Sequence, residues 1–152
     1  MSNKLTELFK NGASHSRTVI KERKLLKEIV TGFEDNEFEM HLQFIVDNKN
    51  GKIVSAETLS RWLNSAGETI FPGTYIGLME KSGLIVRFDY YMFEKVCKKL
   101  SEWKETEFAN ITLSCNITRL TISEKDFVHR IKEIVEKYDF DRSKLLIEIT
   151  ED

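Results

Sequence analysis

A carboxylate and a guanidinium, Glu57 and Arg61, stand four residues apart in the run GKIVSAETLSRW at 51–62. The run follows an Asn50-Gly51 turn signal and has strand character. At a period of two, Ile53, Ser55, Glu57, Leu59 and Arg61 share one face, and Val54, Ala56, Thr58, Ser60 and Trp62 share the other. A charged pair on an otherwise small and apolar strand is costly to bury unless it is paired, hydrogen-bonded or bound to an ion. Two further strand-like runs, ITLSCNI at 111–117 and LLIEI at 145–149, carry Asn116 and Glu148. Two carboxylates and an amide carbonyl suit a hard cation such as Mg2+ or Mn2+ and would be a poor set for zinc. On the residues alone two readings stand open. The three are solvated polar groups on unrelated strands, or they converge as donors where strand ends carry chemistry.

The elements that would position these groups follow from periodicity. Residues 1–17 are polar, contain Asn11-Gly12, and read as a linker or frayed terminus. From 19 to 33 a stripe of Leu26, Ile29, Val30 and Phe33 predicts a helix. Residues 38–46 alternate cleanly, with Phe38, Met40, Leu42, Phe44 and Val46 on one face, so a strand turns through 47–51 into the opening run and brings Gln43 into the same hairpin. Residues 67–70 read as loop. Pro72, the only proline, suits the first turn of a helix over 72–81 that Ser82-Gly83 ends. The clearest long helix runs 86–103, with Phe88, Met92, Val96, Leu100 and Trp103 in register. Ser123 and Asp126 predict a capping box for a helix with the stripe Phe127, Ile131, Ile134, Val135 and Tyr138. Strands alternating with amphipathic helices predict a mainly parallel sheet covered by helices.

With 152 residues the chain is long enough for one domain with a real core. A net charge of -2 gives no polyelectrolyte signal for a nucleic acid polymer or an anionic membrane. No apolar run approaches the ~20 residues of a membrane span, and the start lacks a secretory signal core. Cys97 and Cys115 are isolated from each other and from His15, His41 and His129, which fits reduced thiols in a cytoplasmic chain.

Five segments carry a family resemblance: LQFIVD (42–47), GKIVSAETLSRW (51–62), PGTYIGLMEKSGLI (72–85), LSCNITRL (113–120) and LLIEITED (145–152). In this order and spacing, residues 37–152 resemble the N-terminal half of the EAL-domain family, the cyclic-di-GMP phosphodiesterases. The resemblance implies an α/β fold, a TIM-like (β/α) barrel whose first strand runs antiparallel, present here as a partial barrel with an N-terminal linker helix. It divides the chain into a linker and helix at 1–35 and half of an EAL domain at 36–152. It implies that Glu57, Asn116 and Glu148 are metal ligands for Mg2+ or Mn2+. Arg61 and Gln43 would contact the substrate, cyclic-di-GMP, and Glu151 would organise a loop near the metal. The implied reaction is hydrolysis by metal-activated water to the linear dinucleotide. The chain departs from the family in Thr58 for the usual alanine of the signature, Phe44 for a proline, and Thr118 for a frequent serine. The family's paired aspartates, its lysine, a later glutamate and a late glutamine would fall beyond residue 152. The general base is therefore expected outside this chain, and the chain alone is expected to be inactive. The alternative is a non-catalytic module, from a degenerate EAL domain, that binds cyclic-di-GMP or a protein. Open sheet edges would permit a homo-oligomer, and the N-terminal helix would lead from an upstream sensory or cyclase-like domain.

Overall fold

A computed structural model describes the backbone of residues 2–150 and the side chains of residues 18–150. Helix α1 (Ser2–Glu34) leads into an antiparallel hairpin of β1 (Phe38–Val46) and β2 (Ile53–Leu63). A two-residue β3 (Thr69–Ile70) folds back on the end of β2. Helices α2 (Pro72–Ser82) and α3 (Leu84–Trp103) follow, then β4 (Thr112–Thr118), a single turn α4 (Arg119–Ile122), α5 (Phe127–Glu136) and β5 (Leu145–Thr150). The main path of the sheet is β1-β2-β4-β5, with β1 antiparallel and β2, β4 and β5 parallel. Among the described residues this is an open, partial barrel of the expected kind.

Alternation decides which side of the sheet is covered. Ala56, Thr58 and Trp62 of β2 and Leu113, Cys115 and Ile117 of β4 are buried under the helices. The intervening residues Glu57, Leu59, Arg61 and Asn116 therefore occupy the face turned away from them. One core cluster joins β2 and β4 to α3 and α5 through Phe93, Val96, Cys97 and Ile134. A second, rich in aromatic rings, docks α1 against β1, β2, α2 and α3 through Ile29, Phe33, Phe38, Trp62, Tyr75 and Phe88. Phe38 stacks on Trp62 with ring centroids 5.3 Å apart, and the Trp62 indole donates to Glu37 Oε2 at 2.7 Å. Gly32 permits this approach: a Cβ there would stand 3.1 Å from both Glu37 Oε2 and Trp62 Nε1.

Three local expectations are corrected. The helix expected from residue 19 begins at Ser2, so 1–17 is not an extended linker over its described part. The leucines, lysines, glutamate and alanine of that stretch favour helix enough to carry the chain through Asn11-Gly12. Residues 67–70 are not all loop, because Ile70 and Thr69 pair with Trp62 and Leu63. Ser123 does not cap the following helix. It closes α4, its hydroxyl donating to the Arg119 carbonyl at 2.8 Å, and α5 starts at Phe127 without a side-chain cap. The earlier cap is Thr118, which accepts from the Thr121 N–H. Cys97 and Cys115 are free and fully inside the core, where burial pushes both thiols up to about 12.

Candidate functional site

The sheet register brings the predicted residues onto one surface. Gln43 of β1 lies opposite Glu57 of β2, which lies opposite Ser114 of β4. Two residues further along β4, Asn116 shares that face and is paired in register with Glu148 of β5. Gln43, Glu57, Asn116 and Glu148 thus cross four neighbouring strands on the side away from the helices. Asn116 Nδ2 donates to Glu57 Oε1 at 2.9 Å, so two residues 59 positions apart touch. The amide nitrogen being spent on Glu57, the amide carbonyl remains as a donor atom for a cation. Glu151 lies outside the described residues.

Among the described residues no three His, Cys, Asp or Glu side chains come together as a metal site. The set here is two carboxylates and one amide oxygen, all hard donors, with Asn116 already in contact with Glu57. That chemistry fits a hard divalent cation held partly by protein and partly by water or phosphate.

Arg61 is four residues beyond Glu57 on the same face. Its Nη1 donates to its neighbour's carbonyl, Ser60 O, at 2.6 Å, and its guanidinium lies over the Phe71 ring at 5.0 Å. Ser60 in turn shares a 2.7 Å hydrogen bond with the Tyr75 hydroxyl. Burial raises the Tyr75 pKa, opposed by the Ser60 hydrogen bond and the nearby Arg61 charge, so the phenol stays neutral.

Pairing of β2 with β4 stops at Thr58 and Cys115. Beyond that point β2 leaves β4, and a cavity of about 340 Å3 occupies the gap. Its walls include Thr58 and Ser60, Pro72 and Ile76 of α2, Phe88 and Asp89 of α3, and Asn116 and Thr118. A mostly apolar recess with a few polar groups has the general character of a small-molecule site.

Two polar side chains hold this region together; sequence reasoning missed the first, and of the second it saw only the departure from the signature and not its hydrogen bond. Asp89 is 4% exposed, and its Oδ2 accepts from the Thr118 N–H at 2.9 Å, the Thr118 hydroxyl at 2.7 Å and the Thr121 hydroxyl at 2.6 Å. Burial nonetheless raises its pKa, the three hydrogen bonds opposing the shift. The signal available in sequence was an acid inside the apolar run Phe88–Phe93, one step off the helix stripe. The second is Thr58, whose buried hydroxyl donates to the Ser114 carbonyl at 2.7 Å.

Residues 25–152 match the EAL domain family, and the chain belongs to it. It is 26% identical over 128 residues to the bifunctional diguanylate cyclase/cyclic di-GMP phosphodiesterase MucR of Pseudomonas aeruginosa, covering 84% of this chain and 19% of that protein. It is 25% identical over 118 residues to the probable cyclic di-GMP phosphodiesterase PdeB of Escherichia coli, covering 78% and 23% respectively. The chain therefore spans less than a quarter of the length of these curated relatives. Among solved structures, a MucR phosphodiesterase in complex with cyclic-di-GMP superposes with a TM-score of 0.78 at 26% identity, over 85% of this chain and 52% of that one. The EAL enzyme Bd1971, bound to cAMP and cyclic-di-GMP, gives 0.79 at 25% identity, over 97% and 41%. The fold is that of the TIM-barrel-type EAL domains.

Proposed function

We propose that this chain binds cyclic-di-GMP on the helix-free face of its sheet, with Glu57, Asn116 and Glu148 holding Mg2+ or Mn2+ and Arg61 and Gln43 engaging the nucleotide. The single observation that carries this reading is the Asn116–Glu57 contact, with Glu148 the register partner of Asn116. Glu57 and Asn116 fix each other's side chains, so neither has to be ordered when a cation arrives. Arg61, a planar fork, suits a phosphodiester oxygen at the same strand ends. A divalent cation, when bound, supplies water activation and charge neutralisation at phosphorus, the chemistry of a phosphodiesterase.

The domain division is part of the same reading: 1–35 as a connecting helix, 36–152 as the first half of the catalytic domain, and Glu151 as the organiser of a loop beside the metal. The general base is expected beyond residue 152. An upstream sensory or cyclase-like domain and a cytoplasmic location complete it. No helix among the described residues is long and apolar enough to cross a membrane.

The test is calorimetric titration of the 152-residue chain with cyclic-di-GMP in the presence of Mn2+. Binding is expected, and Glu57→Gln or Asn116→Ala should weaken it by about tenfold or more, equivalent to about 1.4 kcal/mol. Undetectable binding by the wild type, or variants that bind as well as it does, would sink the reading. A second reading, a non-catalytic binding or interaction module, is favoured by the sheet itself: β1 and β5 each have one strand neighbour only among the described residues. Hydrolysis of cyclic-di-GMP by the chain above background would reject it.

A further inference from the structure

We infer that Phe71 is a positioning residue for Arg61: its ring presets the guanidinium at the mouth of the sheet to receive a phosphate. The inference rests on the phosphate-binding reading of Arg61 above. It starts from the short strand β3. The antiparallel register pairs Trp62 with Ile70 and Leu63 with Thr69. One step further along the same ladder sets Phe71 opposite Arg61, on the face away from the helices. The direction of Phe71 is fixed from the other side as well. It immediately precedes Pro72, which disfavours helical backbone at that position, and it is extended at φ -86, ψ 152. Its ring therefore meets Arg61 through two backbone constraints, the β3 pairing and the proline.

The ring has no other evident task. Phe71 is 61% exposed and belongs to neither core cluster. It makes no side-chain cap for α2. Its contact is the Arg61 guanidinium at 5.0 Å, within the range for attraction to a ring face. The Ser60 carbonyl takes one N–H of that guanidinium at 2.6 Å, and the Tyr75 hydroxyl holds Ser60. The guanidinium is thus held by a ring on one face and a carbonyl at one nitrogen. Its remaining N–H groups stay available, since a guanidinium carries five. A free arginine would lose its rotamer freedom on binding; one already held loses less.

The contact is read directly by NMR of the full chain. In the wild type, the Arg61 side-chain protons should be shifted upfield by the Phe71 ring current. Phe71→Tyr should keep the shift and Phe71→Leu should abolish it. In cyclic-di-GMP titrations with Mn2+, Phe71→Leu should weaken binding roughly fivefold, the scale of one newly immobilised side chain. Phe71→Tyr should bind like wild type. In an Arg61→Met background, Phe71→Leu should add nothing. Wild-type affinity in Phe71→Leu would overturn the inference, as would an equal loss in the Arg61→Met background, which would mean that the ring meets the ligand itself. If the wild type binds no nucleotide, the proposed function fails while the Arg61 shift alone decides the positioning role. An unshifted Arg61 in the wild type would end it.

Discussion

Thr58 sits between Glu57 and Leu59, where the family signature usually has alanine, and the substitution has a structural use. The threonine hydroxyl is buried and bridges β2 to the Ser114 carbonyl of β4, beside Glu57 and two residues before Asn116. Removing it leaves the carbonyl short of one partner at the point where the two strands separate. Thr58→Ala is expected to lower stability by about 1 kcal/mol, the usual net value of an internal hydrogen bond, which urea unfolding would register as a lower midpoint at unchanged slope. Asp89 gives a pH signature of opposite sign to that of most carboxylates. Its pKa is raised in the folded state because burial disfavours the charge. The folded chain therefore holds its proton to higher pH than the unfolded chain, and this contribution to stability is full below the unfolded carboxyl pKa and is lost as pH rises through the folded one. In thermal melts, the stability of the wild type relative to Asp89→Asn should accordingly improve as pH falls through the carboxyl range; a difference flat with pH would refute the role. That Glu57, Asn116 and Glu148 lie on the face opposite the core residues of their strands was legible in the sequence, because alternation on a strand assigns faces. Their contact was not. Asn116 reaches Glu57 only through the parallel register of β2 and β4, which no local pattern encodes.

At the scale of elements, long periodic segments were readable and short or end-dependent ones were not. The stripe through α3 and the alternation through β1 each span several turns or pleats, so the core face was evident. Strand β3 has two residues, too few to show alternation, and it exists because the chain after Leu63 turns back on β2. The Ser123–Asp126 capping box satisfied the sequence rule, yet Thr118 captures the preceding turn first, with its side chain already engaged by Asp89. The stop after α2 was read correctly, and it has a further consequence. Gly83 takes φ 77 and serves as both the C-cap of α2 and the N-cap of α3, its N–H bonding the Glu80 carbonyl. A side chain there must adopt a left-handed backbone. Gly83→Ala is expected to cost about 1–2 kcal/mol and to lower the thermal midpoint without altering the far-ultraviolet spectrum, since both helices survive and only their junction is strained. A variant as stable as wild type would show that the junction relaxes at no cost.

On the scale of the whole molecule, the sheet's two faces are treated differently. One is sealed by α1, α2, α3 and α5. The other carries the candidate site together with apolar side chains that remain exposed, Ile45, Ile53 and Leu146 among them. Strand β5 also exposes Ile149, 59%, which pairs in register with Ile117 and so lies on the other side of the sheet from Glu148, on a strand with one neighbour among the described residues. An edge strand with unpaired N–H and C=O groups and apolar side chains is a template for another strand. Antiparallel β1 and parallel β5 bound the described sheet at opposite ends, so a second copy could engage either edge. The 152-residue polypeptide is therefore expected to self-associate at micromolar concentration, with a light-scattering mass above the 17.8 kDa of one chain. A lysine in place of Ile149 puts a charge on the β5 edge without touching Glu57, Asn116 or Arg61, and it should return the mass toward that of one chain while cyclic-di-GMP affinity stays within about twofold. That combination separates pairing at the β5 edge from binding at the site. If association and nucleotide binding fell together, the edge and the site would be one functional surface; a monomeric wild type that unfolds cooperatively would rule out edge-driven assembly altogether.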